Sequence, residues 1–206
     1  RYAGLVIENI QVAESPKWLK ERIEAIGIRS INNVVDITNF VLWEMGQALH
    51  AFDMDKVGAK VEVKHLTDGT TFKTLDEEER KLSAEDIMIC NDKEGMCIGG
   101  VFGGIDSGVS NKTTSIFLES AYFHPTYIRK TSTRHGLRTD AAVRYEKGAD
   151  INMVLPALKR AAMLIKELAG GSIVSDIYDV YPSTYQNAEI TMKWSYCWKL
   201  IGQVIE

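Results

Sequence analysis

Apolar and polar residues alternate at the start of the chain and then change to a helical spacing. Residues 2–12 alternate well enough to predict a half-buried strand. Ser15 and Pro16 follow and predict an N-cap with proline at the first helical position. Apolar side chains then recur at helical spacing until Gly27, which predicts the end of the helix.

The stretch from residue 31 to residue 53 combines a core-like apolar pattern with many polar side chains. It predicts a helix over residues 33–44 that is closed by Gly46. The polar residues within this stretch are Asn32, Asn33, Asp36, Thr38, Asn39, Gln47 and His50. A buried polar group costs roughly 1–3 kcal/mol if it is unpaired. These side chains therefore either pair with one another or meet a ligand.

Short alternating runs separated by turn residues predict that the middle of the chain is mainly sheet. The predicted strands cover residues 60–66, 70–75, 86–90, 96–101 and 113–118. The Asp68-Gly69 turn predicts that the first two strands are neighbours. The third and fourth are predicted to form a hairpin, and the fifth ends on Glu119. The acidic segment 76–80 is predicted to be a solvated loop.

The last third of the chain returns to a helical pattern. Helices are predicted over residues 124–136, 140–146 and 150–168, followed by a strand over residues 173–181. Pro156 lies within the third of these helices and predicts that its first turn is kinked or that the helix starts near this residue. Together, the elements indicate a soluble α+β domain.

Composition narrows the class of protein. The chain has 206 residues, of which 45% are hydrophobic, and it can bury a proper core. We find neither the roughly 20 unbroken apolar residues of a membrane span nor a signal segment, and we expect a cytoplasmic protein without a membrane partner. The three cysteines predict reduced thiols. Cys90 and Cys97 could face each other across the predicted hairpin, but no second Cys or His pair completes a metal site.

Charge is distributed unevenly. The net charge of −4 argues against autonomous nucleic-acid binding over the whole surface. The segment 129–147 nevertheless carries a local excess of basic residues, which is compatible with local contact to a phosphate backbone. A scaffold in which these arginines pair with Asp36, Asp53 and Glu119 is about equally compatible with the pattern.

No standard catalytic motif is present, and individual polar residues leave alternatives open. The paired glycines within residues 99–104 suit either tight strand crossing or close approach to another surface. His50 could be a general acid or base, a water-positioning group or a structural histidine. If Glu119 is buried, it needs a hydrogen-bond donor. Either a ligand hydroxyl or a nearby arginine would serve, and the sequence alone favours the arginine.

Three long motifs carry a family resemblance. They are SPKWLKERIEAIGIRSINNVVDITNFVLWEMGQALHAFDMDKV, IGGVFGG and TTSIFLESAYFHPTYIRKTSTRHGLRTDAAVRYEKGAD. In this order they closely resemble the central region of bacterial phenylalanyl-tRNA synthetase beta subunits. The resemblance implies an α+β fold, with a three-layered domain around a β-sandwich of unusual topology and flanking helices. It implies an editing domain over residues 1–182, followed at 183–206 by a linker and the truncated start of a DNA-binding-like domain. We therefore expect the chain to be a piece of a longer protein.

The resemblance also implies a function and a site. The family's editing domain hydrolyses tyrosine wrongly attached to the phenylalanine tRNA. Carried over by motif, the catalytic residues would be His50 and Asn39, and the substrate-binding residues would be Glu119, Gly100, Thr38, Thr139 and Ala141. The expected RNA contacts are Arg129, Lys130, Arg134 and Arg138. This sequence departs from the family beside the pocket, where Ala48 replaces a common proline and Ala142 lies where Ser or Thr variants occur.

The expected partners follow from the same resemblance. They are the synthetase alpha subunit, in a heterotetramer of two alpha and two beta subunits, the phenylalanine tRNA, and tyrosine as the editing ligand. No cofactor or metal is expected in this piece, since ATP and magnesium act at the synthetic site of the whole ligase. The alternative is a non-catalytic structural and tRNA-docking module of the same subunit.

Overall fold

The computed structural model describes residues 1–205 of the chain. Its helices are α1 (Lys17–Ala25), α2 (Asn33–Met45), α3 (Met54–Val57), α4 (Pro125–His135), α5 (Asp140–Lys147), α6 (Val154–Leu168) and α7 (Trp194–Ile201). Its strands are β1 (Tyr2–Ile10), β2 (Leu49–Asp53), β3 (Glu62–His65), β4 (Thr71–Lys73), β5 (Glu79–Lys81), β6 (Ile87–Cys90), β7 (Gly95–Ile98), β8 (Phe102–Gly103), β9 (Ser115–Ala121), β10 (Gly170–Ile173) and β11 (Tyr178–Val180). This mixture of helices and antiparallel sheets confirms the predicted α+β class.

The first sheet is built around β1 and β9. These two strands pair antiparallel over seven residues, and β2 pairs with the other side of β9 as an edge strand. β10 and β11 lie one after the other along the free side of β1. The prediction of one strand over residues 173–181 is therefore wrong in detail. The two strands are separated by a short break, where Ser175 Oγ accepts a hydrogen bond from the Val6 backbone N–H at 2.9 Å.

The second sheet has the order β3-β6-β7-β8, and β4 and β5 form a separate hairpin. The predicted hairpin of β6 with β7 is confirmed. The prediction that β3 and β4 are neighbours is wrong, because β3 pairs with β6 and β4 pairs with β5. The buried, apolar strand β6 gives β3 a partner in the core, whereas β4 turns back on itself through the acidic loop.

Two hydrophobic cores divide the domain into layers. One core lies between the first sheet and helices α1, α2 and α6, and includes Ile37, Leu118 and Ile165. The other lies on the opposite face of the same sheet, against the second sheet and helices α4 and α5, and includes Phe52, Phe117 and Tyr145. Alternate residues of β9 therefore enter different cores, as expected for a strand that is buried on both faces. Helices, first sheet and second sheet give the three layers that the family resemblance implied.

Side-chain hydrogen bonds within the protein hold α2 in place and satisfy the polar residues at its start. The Asn32 side chain caps the helix by accepting a hydrogen bond from the Val35 N–H at 2.9 Å. Asn33 is buried and bonds to backbone groups of Gln11, Ala13 and Leu168. Gly46 closes the helix in the left-handed conformation, with φ of 73°.

Buried Asp36 explains why the predicted cap of α1 is wrong. Ser15 Oγ donates to Asp36 Oδ2 at 2.6 Å, and the N-cap position is occupied by Pro16. Asp36 also accepts hydrogen bonds from the Ser30 hydroxyl and the Ile31 N–H. The Ser15 hydroxyl therefore fixes the approach of α1 to α2.

The remaining elements refine the predictions. β9 extends to Ala121, so that Glu119 lies inside the strand and not at its end. A 3-10 turn at Ile151–Met153 precedes α6, which places Pro156 in the first turn, as predicted. Helices α4 and α5 confirm the two helices predicted over residues 124–146. The domain boundary at residue 182 stays a prediction. Within residues 1–205, no helix is long and apolar enough to cross a membrane.

Candidate functional site

A row of three residues crosses the first sheet on the face that meets the second sheet. Gly4 on β1 lies opposite Glu119 on β9, and Glu119 lies opposite His50 on β2. Directly opposed residues of antiparallel strands project to the same face, with Cβ atoms about 4.5–5.5 Å apart. Two of the predicted site residues, 69 positions apart in the chain, are thus brought side by side. Strand register alone accounts for this meeting.

The Glu119 carboxyl is buried without a full set of partners. The residue is only 4% exposed, and its Oε2 atom has no hydrogen-bond partner among residues 1–205. Burial raises the pKa of Glu119 to about 8, and the neighbouring Tyr2 hydroxyl opposes this shift. The expected arginine partner is absent from the ion pairs of the described residues, so this prediction is wrong. The site instead has an unpaired carboxyl oxygen that a ligand could meet.

His50 presents a second unpaired polar atom to the same space. Its ring packs edge-on against Phe52, with the ring centroids 4.4 Å apart. Its Nε2 atom is buried and lacks a hydrogen-bond partner within the described part of the chain. Burial lowers the pKa of His50 to about 4. The imidazole is therefore neutral near pH 7, when it can donate through one ring nitrogen and accept through the other.

Tyr2 belongs to this cluster, although the sequence analysis did not single it out. It lies two residues before Gly4 on the same face of β1, and it pairs with Ala121 of β9. Its hydroxyl is buried and has no hydrogen-bond partner of normal geometry in residues 1–205. Burial, followed by the charge of Glu119, raises the pKa of Tyr2 well above its ordinary value. The alternation of β1 could have placed Tyr2 on this face, but not beside Glu119.

Gln47 and Tyr145 hold the strand ends that frame the cluster. The Gln47 amide donates to the backbone oxygens of Ala48 and Ala121, at 3.1 and 2.7 Å. The Tyr145 hydroxyl donates to the same Ala121 oxygen at 2.9 Å. Both side chains are buried, and they tie helix α5 to the start of β2 and the end of β9. His50 is therefore carried on a strand whose start is fixed by hydrogen bonds.

The two predicted threonines already use their hydroxyl protons within the protein. Thr38 Oγ1 donates to the Val35 backbone oxygen one turn earlier in α2, at 2.7 Å. Thr139 Oγ1 donates to the Val101 oxygen at 2.7 Å and accepts a hydrogen bond from the Ala142 N–H at the start of α5. Each hydroxyl keeps acceptor capacity, because a hydroxyl has two lone pairs. Both could therefore accept a hydrogen bond from a cationic amino group.

Three other predicted residues lie on helices: Thr38 and Asn39 on α2, and Ala141 on α5. Thr38 and Leu42 are one turn apart on α2, and Leu42 joins the core between the sheets. Asn39 follows Thr38 and is half-buried. Ala141, on α5, packs against the same core.

Gly100 and Gly103 bring backbone close to side chains of the layer between the sheets, and Gly103 lies beside His50 of the cluster. Gly100 has φ of 69°, and a Cβ atom there would lie 2.8 Å from the Phe123 ring and 3.0 Å from the Tyr145 ring. A Cβ atom at Gly103 would lie 2.9 Å from Leu75 and 3.3 Å from His50 Cε1. Close approach of backbone to side chains explains these glycines better than conformational freedom alone.

The basic patch is partly occupied by ion pairs. Arg134 bonds to both Glu85 and Asp86, and Lys130 lies 3.4 Å from Glu85. These acidic partners differ from Asp36, Asp53 and Glu119, so the predicted pairing scheme is wrong. Asp53, for example, accepts hydrogen bonds from the Thr113 hydroxyl and from the Asp55 N–H at the start of α3. Arg129 and Arg138 are exposed, and neither takes part in an ion pair within residues 1–205.

Two other features bear on the site. A cleft of about 610 Å³ opens elsewhere, between β6, β7 and the β4 hairpin, and none of the predicted site residues lines it. Cys90 and Cys97 do not face each other, because Cys97 lies opposite Ile89 and Cys90 opposite Gly95. No group of three or more potential metal ligands occurs in the part of the chain that the structure describes. These observations leave the Glu119 cluster as the best candidate site.

Comparison with known proteins gives matches along the whole chain. The family model of the B3/4 domain matches residues 1–170. The chain is 53% identical over 206 residues to the phenylalanine–tRNA ligase beta subunit of Bacteroides fragilis, covering 100% of this chain and 25% of that protein. It is 51% identical over 208 residues to the corresponding subunit of Porphyromonas gingivalis, with the same coverage of both chains. The chain thus spans about a quarter of the length of the curated relatives it matches.

A solved structure supports the fold. The chain is similar to an N-terminal fragment of the phenylalanyl-tRNA synthetase beta subunit from Pyrococcus horikoshii, with a TM-score of 0.54 and 12% sequence identity. The match covers 100% of this chain and 57% of that fragment. At this identity the similarity concerns the fold alone. Together with the relatives above, it confirms the family resemblance of the three sequence motifs.

Proposed function

Because the chain belongs to the B3/4 domain family and resembles bacterial phenylalanine–tRNA ligase beta subunits over its whole length, we propose that it is their editing domain. In this role it hydrolyses the ester that links tyrosine to the phenylalanine tRNA. The observation that carries the proposal is the unpaired, buried Glu119 carboxyl beside His50. A ligand that supplied the missing hydrogen bond would offset the cost of burying this carboxyl.

Selection of tyrosine follows from the same cost. A hydrophobic pocket cannot strongly reject a ligand that merely adds a hydroxyl, so a synthetic site for phenylalanine admits some tyrosine. A site built to bond the hydroxyl, by contrast, rejects the analogue that lacks it by about 10⁴–10⁵. The tyrosine phenol would bond Glu119, with Gly100 allowing backbone to reach the ring edge, whereas phenylalanine would leave the carboxyl unpaired. The pocket would therefore bind the mischarged amino acid and spare the correct one.

Hydrolysis requires a positioned water and little else from the protein. The water oxygen attacks the ester carbonyl carbon, the carbon–oxygen bond to the terminal ribose breaks, and the ribose oxygen takes up a proton. A histidine with a pKa of about 4 is a weak base near pH 7, so His50 acts here by hydrogen bonding. We assign His50 and Asn39 to positioning the water or the ribose. Orientation of this kind can supply much of the rate enhancement.

The amino-acid end of the substrate needs hydrogen-bond acceptors, since its amino group is a donor. Thr38 and Thr139 keep acceptor capacity after donating to backbone oxygens, and Ala141 leaves space at the start of α5. A covalent intermediate is not part of the proposal. Burial raises the pKa of Cys97 well above its ordinary value, so its thiol is a poor nucleophile.

The wider context of the site is also proposed. The domain would act within a cytoplasmic ligase that attaches phenylalanine to its tRNA, together with an alpha subunit that carries the synthetic site. ATP and magnesium would serve that synthetic site and not the Glu119 cluster. The docking-module alternative is favoured by exposed Arg129 and Arg138, which could hold the tRNA without editing.

The test compares deacylation by the complete two-subunit ligase and its variants. The substrate is the phenylalanine tRNA that carries tyrosine, and it is offered to the wild-type ligase and to the Glu119→Ala and His50→Ala variants. We expect Glu119→Ala to lose the preference for tyrosyl-tRNA over phenylalanyl-tRNA, and His50→Ala to lose rate on tyrosyl-tRNA. Undiminished deacylation by both variants would contradict the pocket assignment. A wild-type enzyme that binds tRNA but leaves the ester intact would favour the docking module.

A further inference from the structure

We propose that Tyr2 is a specificity-determining residue of this site, whose phenol shares the Glu119 carboxyl with the phenol of the ligand. This inference rests on the proposed editing function and adds a residue to it. Tyr2 would occupy one side of the carboxyl, so that the other side is aimed at the ligand. The chain would thus contribute one phenol and the substrate the other.

Strand register brings Tyr2 within reach of Glu119. Gly4 lies directly opposite Glu119, and Tyr2 is the next residue of β1 on the same face. Diagonal neighbours of this kind have Cα atoms about 7–8 Å apart, which long side chains span easily. Gly4 contributes no side chain between them, and the space above it is filled by the Phe117 ring. Tyr2 lies on the Ala121 side of Gly4 and Phe117 on the Val6 side, so no side chain of β1 separates the Tyr2 phenol from the carboxyl.

The buried, unpaired oxygens of Tyr2 and Glu119 indicate that a ligand takes part in the contact between these two side chains. The Tyr2 hydroxyl and Glu119 Oε2 are both buried, and neither has a partner of normal hydrogen-bond geometry in residues 1–205. The two groups nevertheless act on each other, since the Tyr2 hydroxyl lowers the pKa of Glu119 against the effect of burial. Phenylalanine at position 2 would fill the same core without burying a hydroxyl. The unpaired hydroxyl thus costs stability, and a role in ligand binding would explain its presence.

That role is to prepare the carboxyl for a second phenol. A carboxylate accepts up to about four hydrogen bonds, so two phenols can share it. Donation from Tyr2 favours the ionised form, which is the form that accepts the ligand's hydroxyl proton. Without Tyr2, more of the carboxyl would be protonated near neutral pH, and its free lone pairs would be fewer. Tyr2 therefore strengthens binding of tyrosine relative to phenylalanine.

The experiment measures the ratio of kcat/KM for tyrosyl-tRNA to that for phenylalanyl-tRNA as a function of pH, in the complete ligase. Taking this ratio cancels the intrinsic pH dependence of ester hydrolysis. In wild type we expect the ratio to rise with pH as Glu119 ionises. In Tyr2→Phe we expect the ratio near pH 7 to fall by about tenfold, as for one hydrogen bond to a charged group. The pH at which the ratio rises should also be higher in Tyr2→Phe than in wild type.

Tyr145→Phe is the matched control. It removes a second buried phenol from the same layer, but one whose hydroxyl already donates to the Ala121 oxygen. We expect it to lower stability and to leave the pH of the transition in place. If Tyr2→Phe fails to fold, Tyr2→Met, which keeps apolar bulk, replaces it.

The outcomes separate the two proposals. A wild-type ratio that shows no preference for tyrosine overturns the proposed function and this inference together. A wild-type preference that Tyr2→Phe retains, with the same transition, overturns the role of Tyr2 alone. If Tyr2→Phe loses kcat/KM equally on both substrates and the pH of the transition is unchanged, Tyr2 has a structural role, and its role in specificity is overturned. A lower ratio with a shifted transition in Tyr2→Phe but not in Tyr145→Phe supports it.

Discussion

His50 and Glu119 lie directly opposite each other on β2 and β9, and each presents a buried polar atom without a partner among the described residues. Their pKa values are displaced in opposite directions, to about 4 for His50 and about 8 for Glu119. Burial causes both shifts, because it disfavours the charged form of each group. Near neutral pH the pair is therefore a neutral imidazole beside a largely protonated carboxyl.

Glu119 should make the chain less stable at alkaline pH. Its pKa is raised on folding, so its contribution to stability is complete below about pH 4.5 and is lost as the pH rises through about 8. Each pKa unit corresponds to about 1.4 kcal/mol, so the loss should be on the order of a few kcal/mol. Urea unfolding of wild type and Glu119→Gln between pH 5 and pH 9 measures it. Glu24→Gln, on the exposed side of α1, is the control, and parallel curves for wild type and Glu119→Gln would contradict the shift.

His50 should have the opposite effect at acid pH. Its pKa is lowered on folding, so its contribution to stability is complete above about pH 6.5 and is lost as the pH falls through about 4. Replacement by glutamine removes the titration while it keeps a polar side chain. We therefore expect the free energy of unfolding of His50→Gln to fall less than that of wild type between pH 7 and pH 4. Equal slopes would show that the imidazole is hydrated in solution.

Gly4→Ala should destabilise the first sheet by overpacking. A Cβ atom at this position would lie 2.2 Å from Cζ of the Phe117 ring, so the ring must move. Overpacking of a core typically costs about 1–3 kcal/mol. Gly108→Ala is the control, because its Cβ atom would meet only Leu75, at 3.8 Å. Chemical denaturation compares the two, and Phe117→Leu in the Gly4→Ala background should restore part of the loss.

Asp86→Ala should be among the most destabilising changes in the second layer. The fully buried carboxylate accepts hydrogen bonds from the Ser83 N–H, Thr131 and His135, and it pairs with Arg134. Burial opposes ionisation, but these hydrogen bonds outweigh it and hold the pKa of Asp86 below its ordinary value. Breaking a buried ion pair costs about 3–5 kcal/mol, and we expect the low end of this range because the Arg134 side chain is 31% exposed and regains water.

The control for Asp86 is its neighbour in the chain. Glu85 pairs with Lys130 and Arg134 at the surface, with half of its side chain exposed. Surface ion pairs contribute about 0–1 kcal/mol. Thermal unfolding should therefore show a large loss for Asp86→Ala and a small one for Glu85→Ala. Similar losses would mean that the buried network of Asp86 is not what anchors α4.

We expect the arginines of the basic patch to have two different roles, in tRNA binding and in stability. Arg134 is held by Glu85 and Asp86, whereas Arg129 and Arg138 are exposed and outside the ion pairs of residues 1–205. If the patch contacts tRNA, each of the changes Arg129→Ala and Arg138→Ala should reduce the salt dependence of tRNA affinity by about one counterion. Arg134→Ala should mainly lower stability. Binding isotherms of the complete ligase at several salt concentrations measure this, and an unchanged slope for both exposed arginines would remove the patch from the RNA interface.

Local patterns determined most of the helices from the sequence alone. The Asn32 cap, the Gly46 and Gly136 ends and the proline at the start of α4 are decided by backbone chemistry within a few residues. The motifs likewise indicate the family, whereas the site residues that they suggest stay a prediction. The same local rules failed for β3 and β4, because a turn signal shows where a chain reverses but not which strand it pairs with.

Tertiary structure decided the chemistry of the site. A sequence shows that His50, Glu119 and Tyr2 exist, but their meeting depends on the register of β1, β9 and β2. That no arginine pairs with Glu119 within residues 1–205 also depends on tertiary structure, since α4 carries Arg134 of the basic patch to Glu85 and Asp86 instead. Desolvation acts only once the two sheets close over these groups, and it displaces both pKa values. The stretch from residue 31 to residue 53 supplied His50, and the packing of the sheets made its environment.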